Sequence, residues 1–475
     1  MVWIVVAAVV VIALIIGGGV LYATSDGGGG AGGAGTAAGG GRGATGTGSG
    51  SGFGAPGEEK VPADPAARLA FALPAPRAAG NRVDSVAGSW LTDRTYAKAG
   101  VGEIVGHDPA TGRTTWTLRL PGQTCGATED VTKDALAAVV SENGAWTADG
   151  RHPVCSQITL FDVNTGRKVW TRSIGTGSST VPFTEPVLSG DTLALGGGPR
   201  GGAALDVTTG RILWQPQRGA CEDVGYAGGA QLATVRRCAV GGRDRYEVQL
   251  LDPRTGRPKW TYQLADGVRG VRVLSTDPVV VGVATGQDAA GAVTAVVPMS
   301  ATGKPLSTIS LDTGAYDLGC DAGRTDGCRK IVVGNGRIYL SVRQHAESGA
   351  GDGIVSFGLA SGRRAGRPAD GAGQPLFPLR TDGGNVLAYA GGSPAEGARV
   401  VSLDPRSMKA TTLLRTPAGA RAAATLRAMG VGLGGSEVRY AEGRLFLGRA
   451  QVGGSAAKGH RQYAAVAFAA GGRAH

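Results

Sequence analysis

The chain has 475 residues and is 42% hydrophobic, enough to bury a substantial core in one large domain or two to three ordinary ones. Its 84 Gly, set against 5% aromatic and 18% charged residues, exclude an architecture of long helices and point to short strands, tight turns and small packed side chains. The net charge of +11 is spread thinly, with no run of four basic residues, which argues against nucleic acid as a partner, and the 39 Arg against 9 Lys suggest the coding bias of a high-GC bacterium.

In chain order, the first predicted element is an uncharged apolar stretch from Val2 to Tyr22. About 21 residues at roughly 1.5 Å each cover roughly 31 Å, one bilayer core, so residues 1–25 are predicted to be a transmembrane signal-anchor helix. A cleaved secretory signal is the alternative; it would carry a basic leader and a small-residue cleavage site, and Tyr22-Ala23-Thr24 is a poor match. No Cys lies nearby, which excludes a lipoprotein anchor. Residues 26–66 are Gly, Ala, Ser and Thr almost throughout their first part and read as a flexible tether of very roughly 30 to 35 Å reach.

From residue 67 to 475 the sequence repeats. HDPATGRTTW (His107 to Trp116), FDVNTGRKVW (Phe161 to Trp170), LDVTTGRILW (Leu205 to Trp214) and LDPRTGRPKW (Leu251 to Trp260) share D-x-x-T-G-R-x-x-W, beyond chance. The recurring positions are Asp108, Gly112 and Trp116; Asp162, Gly166 and Trp170; Asp206, Gly210 and Trp214; and Asp252, Gly256 and Trp260. Weaker copies follow at Ala301 to Lys304, Ala360 to Arg363, Leu403 to Ser407 and Ala467 to Arg473, with Met299, Gly358 and Gly366 where Asp or Trp is expected. In each copy Asp can accept hydrogen bonds from turn amides, Gly supplies the positive φ of a tight hairpin, and a second strand then carries Trp. Further strand–turn–strand pairs lie upstream, as in Val187 to Leu195 and Lys330 to Leu340, giving four strands per unit. Eight such units predict an all-β propeller of about eight four-stranded blades, with seven as the alternative. Ala67 to Pro74 resembles the strand from Trp116 to Pro121 and is expected to complete the last blade.

This pattern resembles the PQQ-like (quinoprotein-type, BamB-like) β-propeller repeat family, whose signature is A-x-D-x-x-T-G-K-x-x-W. The resemblance implies that Trp116, Trp170, Trp214 and Trp260 dock between adjacent blades. It also raises a PQQ-dependent dehydrogenase, but the adjacent Cys pair and the C-x-x-C-H haem motif of those enzymes are absent from the sequence. No catalytic residue, cofactor site or metal site is nominated. The five His are scattered, and His107, just before a turn, is expected to be exposed.

Six Cys, at 125, 155, 221, 238, 320 and 328, allow fifteen pairings, of which the sequential one is the economical choice. No C-x-x-C spacing favours zinc or a thiol redox centre, so structural disulfides and an extracytoplasmic propeller are expected. Because equivalent hairpins of a propeller emerge on one face, Arg113, Arg167, Arg211, Arg257, Lys304 and Arg363 would form a broken basic ring for an anionic partner; in the alternative, each Arg is offset by the Asp five residues earlier. The expected role is a membrane-anchored, extracytoplasmic module that binds a protein or cell-envelope component without catalysis. A sensor that holds a small ligand in the propeller channel is the second reading.

Overall fold

The computed structural model describes residues 58–471 apart from 77–82, 147–150, 177–178, 199–200, 218, 287–291, 321–324, 326, 344–352, 431–435 and 454–461. The predicted anchor lies outside the described residues. Among the described residues no helix is long and apolar enough to cross a membrane.

The chain builds eight antiparallel blades in sequence order. The first is Ser89–Leu91, Tyr96–Gly100, Glu103–His107 and Thr114–Arg119; the third is Glu185–Ser189, Thr192–Gly196, Gly202–Asp206 and Ile212–Trp214. The eighth takes Ser436–Ala441, Arg444–Arg449 and Tyr463–Ala470 from the end of the chain and Ala67–Pro74 from its beginning. The ring is therefore closed by the N-terminal strand, in the register Phe71 opposite Ala467, and the blade count is eight. One short helix, α1 (Ala420–Ala428), links the seventh and eighth blades and buries Ala423 and Leu426.

Burial explains the sequence pattern. The second strand of each blade packs against neighbours on both faces, so Thr192–Gly196 is buried throughout and its sequence is small and apolar. The outermost strand covers only one face, so Thr114–Arg119 is mostly exposed and polar.

Between blades the repeat residues meet as a pair. A Cβ placed on Gly166 would lie 2.4 Å from the Trp116 ring, and the same contact joins Gly210 to Trp170 at 2.8 Å, Gly256 to Trp214 at 2.6 Å and Gly303 to Trp260 at 2.6 Å. Gly166 also has φ 69°, so a side chain there is excluded by both the indole and the backbone. Trp170 Nε1 donates to Val207 O at 2.7 Å and Trp214 Nε1 to Pro253 O at 2.8 Å, which adds a directed bond to the packing. At the closure Phe71 takes the indole's place against Gly112. In the weaker repeats Ser307 stands under Gly362, Gly366 under Arg406, and Met408 at φ 56° fills the Gly position of the seventh hairpin.

The seam between the eighth and first blades is ionic. Lys98 Nζ lies 3.3 Å from Glu437 Oε2, both side chains buried, and also donates to the carbonyls of Val86 and Gly88. Glu437 Oε1 accepts from the Gly88 amide at 2.6 Å, and Arg439 donates to Ser89 O at 3.1 Å. Burial pulls the Lys98 amine below its ordinary range, and Glu437 opposes that pull.

Two stability outcomes follow from these contacts. Trp170→Ala should cost about 3–5 kcal/mol in a urea titration, whereas Ser307→Ala at the equivalent place should cost less than about 1 kcal/mol, because only the first opens a large cavity. Glu437→Leu should cost about 3–5 kcal/mol by stranding the buried Lys98 charge, and adding Lys98→Met should recover most of it in the same titration.

Candidate binding surfaces

The outer hairpins, between the third and fourth strands of each blade, are built by their Asp. Asp108 Oδ1 accepts from the Thr111 amide at 2.8 Å and its hydroxyl at 2.7 Å. Asp206 with Thr209, Asp252 with Thr255 and Asp404 with Ser407 repeat the arrangement, and Asp162 accepts the amides of Asn164 and Thr165. The hydroxyl and amide bonds hold the carboxyls of Asp108, Asp206, Asp252 and Asp404 below the usual carboxylate range. Their contribution to the turns is therefore present above about pH 4, the unfolded value, and is lost only as pH falls through the lowered folded values.

Because these carboxylates face into their own turns, they do not hold the basic residues beside them. Arg113, Arg167, Arg211, Arg257, Lys304 and Arg363 are all exposed, and among the described residues none lies within ion-pair distance of a carboxylate. The ion pair that does form on an outer hairpin joins neighbouring blades, Arg254 to Asp206 at 3.6 Å. His107 is not exposed as expected: it is 7% accessible, its Nδ1 lies 3.1 Å from Gly112 O, and burial lowers its pKa.

Antiparallel order puts the outer hairpins on the same face as the inner hairpins that join the first two strands of each blade. Between the third and fourth strands, residues 108–113, 163–167, 207–211, 252–257, 299–308, 359–368 and 404–409 carry eleven Lys and Arg, all exposed, against the five hairpin Asp at 108, 162, 206, 252 and 404. The inner hairpins on that face are acidic: residues 92–95, 128–135, 190–191, 228–231, 277–278, 335–336, 383–384 and 442–443 carry seven Asp and Glu against two Lys and Arg, which offsets most of the outer excess. Around a cavity of about 460 Å³ between the first, second and eighth blades, Arg94 pairs with Asp93 at 3.6 Å, Lys133 with Asp134 at 2.8 Å and Arg444 with Glu442 at 3.7 Å.

The end of the stretch read as linker is fixed on this face. Glu59 is buried against Arg380 at 2.8 Å, its amide donates to Asp382 at 3.1 Å, and its Oε2 accepts the Glu442 amide at 2.9 Å. Burial raises the Glu59 carboxyl and Arg380 opposes that rise. Arg380 also binds Asp382 at 2.9 Å, so one guanidinium ties the entering chain to the inner hairpins of the seventh and eighth blades.

Ahead of the sixth blade the Cys320–Cys328 disulfide closes a short strap, and its Thr325 packs against the first strands of other blades. The amide of Thr325, 2% accessible, donates to Glu185 Oε2 of the third blade at 3.2 Å, and its carbonyl accepts from Val273 of the fifth at 2.8 Å. On the far side Arg329 reaches Glu129, just past the first strand of the second blade, at 3.4 Å. The base of the strap is pinned by Lys330 and Asp317 at 2.5 Å; burial raises the Asp317 carboxyl, but the ammonium outweighs it and holds the carboxyl low.

The other two disulfides are Cys125–Cys155 and Cys221–Cys238, so the pairing is sequential. One cluster of metal-ligand type occurs among the described residues, Cys221, Cys238 and Glu247, and its two sulfurs are joined to each other and offer no thiolates. The strap, the Glu59 anchor and the Lys98–Glu437 seam escaped sequence reasoning. The last carried a signal, since Lys98 in Tyr96–Gly100 and Glu437 in Ser436–Ala441 are charges in strands otherwise suited to burial.

The model of the family described as outer membrane protein assembly factor BamB matches residues 72–220 and 154–365. The chain belongs to this family of PQQ-like β-propellers. Among solved structures, BamB from Moraxella catarrhalis is similar at 13% identity and a TM-score of 0.42, over 83% of this chain and 99% of that one. A quinohemoprotein alcohol dehydrogenase from Pseudomonas putida HK5 is similar at 13% identity and a TM-score of 0.46, over 86% and 76% respectively. The computationally designed Ika8 protein is similar at 10% identity and a TM-score of 0.48, over 84% and 100%. No curated protein sequence matches this chain.

The placement of the strap has a specific consequence. A Cβ on Gly225, in the first strand of the fourth blade, would lie 2.1 Å from Thr325 Oγ1 and 2.5 Å from Glu185 Oε2. Gly225→Val should push the strap away, destabilising the protein by about 1–3 kcal/mol and accelerating hydrogen exchange at the Val273 amide, which loses its acceptor. An unchanged Val273 amide would show that the strap does not pack there.

Proposed function

We propose that this protein is a membrane-tethered, extracytoplasmic propeller that binds a protein of the cell envelope and performs no chemistry of its own. The observation that carries the reading is the position of Thr325. Held between Glu185 of the third blade and Val273 of the fifth, it stands where a propeller would hold a small ligand on its axis, which favours the outer faces as the recognition surface. Propeller faces are broad and rigid, so they suit contact with another folded protein at little ordering cost. Membership of a family described as an assembly factor supports a scaffold role, and three disulfides support an oxidising compartment. The apolar stretch from Val2 to Tyr22 supplies the tether in this reading.

Photo-crosslinking in living cells from single positions on each propeller face, followed by mass spectrometry, tests it. One envelope protein captured repeatedly from adjacent positions on one face is the expected result. Alcohol oxidation by the purified chain supplied with quinone and calcium, or capture of nothing above background from any position, would sink the scaffold reading.

A further inference from the structure

We infer that residues 58–66 form a proton-tightened clasp: a proton taken up at the buried Glu59 carboxyl fastens the entering chain, and with it the strand that closes the ring, to the seventh and eighth blades. The clasp stands apart from the tether and scaffold readings above, since it is built wholly from contacts of the propeller itself.

An acid, and not a hydrophobic side chain, does the holding. Val61 is 62% exposed and Glu58, Lys60, Ala63 and Asp64 are exposed as well, whereas the Glu59 side chain is 4% accessible. Its amide donates to Asp382 at 3.1 Å, and its carboxylate meets Arg380 at 2.8 Å and the Glu442 amide at 2.9 Å. Further along, the Arg415 amide of the seventh blade donates to Pro65 O at 2.7 Å, and the closing strand Ala67–Pro74 follows. That strand pairs irregularly with Tyr463–Ala470, with register shifts at Leu69/Phe71 and Leu73/Pro74, so the fastening ahead of it bears directly on closure of the ring.

Inside the clasp two carboxylates share one guanidinium. Arg380 reaches Glu59 at 2.8 Å and Asp382 at 2.9 Å, and all three side chains are buried. With both carboxyls ionised this group carries one negative charge in excess, which burial makes costly. Among the described residues no second cation contacts either carboxylate. Glu442 contributes its amide, while its own carboxylate is exposed and pairs with Arg444 at 3.7 Å. Glu58 is exposed and lies over Gly383. Tyr440 is buried with its hydroxyl unpartnered among the described residues, and burial together with the Glu59 charge keeps the phenol neutral.

A proton on Glu59 removes the excess and leaves one carboxylate to one guanidinium. Burial, with Asp382 and Glu442 in support, raises the Glu59 carboxyl above its ordinary value of 4.5, although Arg380 and the Glu442 amide pull it down. The fastened chain therefore holds a proton that the released chain gives up. The hold strengthens as pH falls toward 4.5 and weakens as pH rises through the raised value. The outer hairpins respond with the opposite sign, because their Asp are held low.

Hydrogen exchange of the full chain tests the clasp, with each rate divided by the intrinsic rate at the same pH. From about pH 8 to about pH 5, protection of the Glu59, Glu442 and Arg415 amides should rise several-fold, while the Met299 amide in the fifth blade, bonded to Val279 O, should not change. In Glu59→Gln the side-chain oxygen still accepts from Arg380 and from the Glu442 amide, so protection should stay near its acid level at every pH. Asp382→Asn leaves the guanidinium to Glu59 alone and should flatten the gradient in the same way. A flat or inverted profile in the unaltered chain overturns the inference whatever the variants do. A gradient that persists in Glu59→Gln also overturns it, by assigning the titration to another group.

Discussion

The contact between an indole and the glycine of the next hairpin is what makes one body of eight sheets. A single blade has two apolar faces and cannot bury either alone, so its stability is borrowed from its neighbours. Trp170 lies flat on the Gly210 turn and is bonded to Val207, which fixes the angle between the second and third blades as well as their separation. Any side chain at the glycine would separate the blades by the width of a carbon atom, and the error would be passed round the ring. The same economy explains why Asp and Thr recur beside the glycine: they bond the hairpin to itself, so that it presents one rigid surface to the indole above it.

The first four blades were legible because this contact has a fixed residue identity and spacing. In the later blades the geometry survives but the chemistry changes. Ser307 and Gly366 replace the indole and let backbones approach directly, and Met408, a buried side chain, takes the left-handed backbone that glycine takes elsewhere. Sequence matching weakens there although the fold does not. The closing strand was legible for a related reason, since Phe71 meets Gly112 as an indole would.

What the sequence concealed are contacts between residues far apart in the chain. Lys98 and Glu437 are 339 positions apart, and Glu59 and Arg380 are 321 apart. No local pattern pairs them, and each alone looks like an ordinary surface charge. His107 was misjudged because the residue before a turn is usually exposed, but here the ring is buried and turned back onto its own hairpin, against Gly112 O. The strap is the clearest case. Cys320 and Cys328 announce a closed loop, yet nothing in the intervening sequence tells whether that loop points outward or down the channel axis. Direction is set by Glu185, Val273 and Glu129, from three other blades.

The charge asymmetry follows from strand order. Within each antiparallel blade the inner and outer hairpins must share a face, and the outermost strand must begin at its outer hairpin. The first strand of the chain is the outermost strand of the eighth blade, so the preceding residues arrive on that same face, beside Asp382 and Glu442. Basic residues placed after the hairpin glycines are therefore gathered on an outer rim, and the acidic residues of the inner hairpins, such as Asp93, Asp134 and Glu442, stand inside it, although no two hairpins are close in sequence. The Cys320–Cys328 strap adds a contact that strand order alone does not supply: Thr325 bonds to the third and fifth blades at once, so two blades that are not neighbours in the ring are braced by the segment ahead of the sixth.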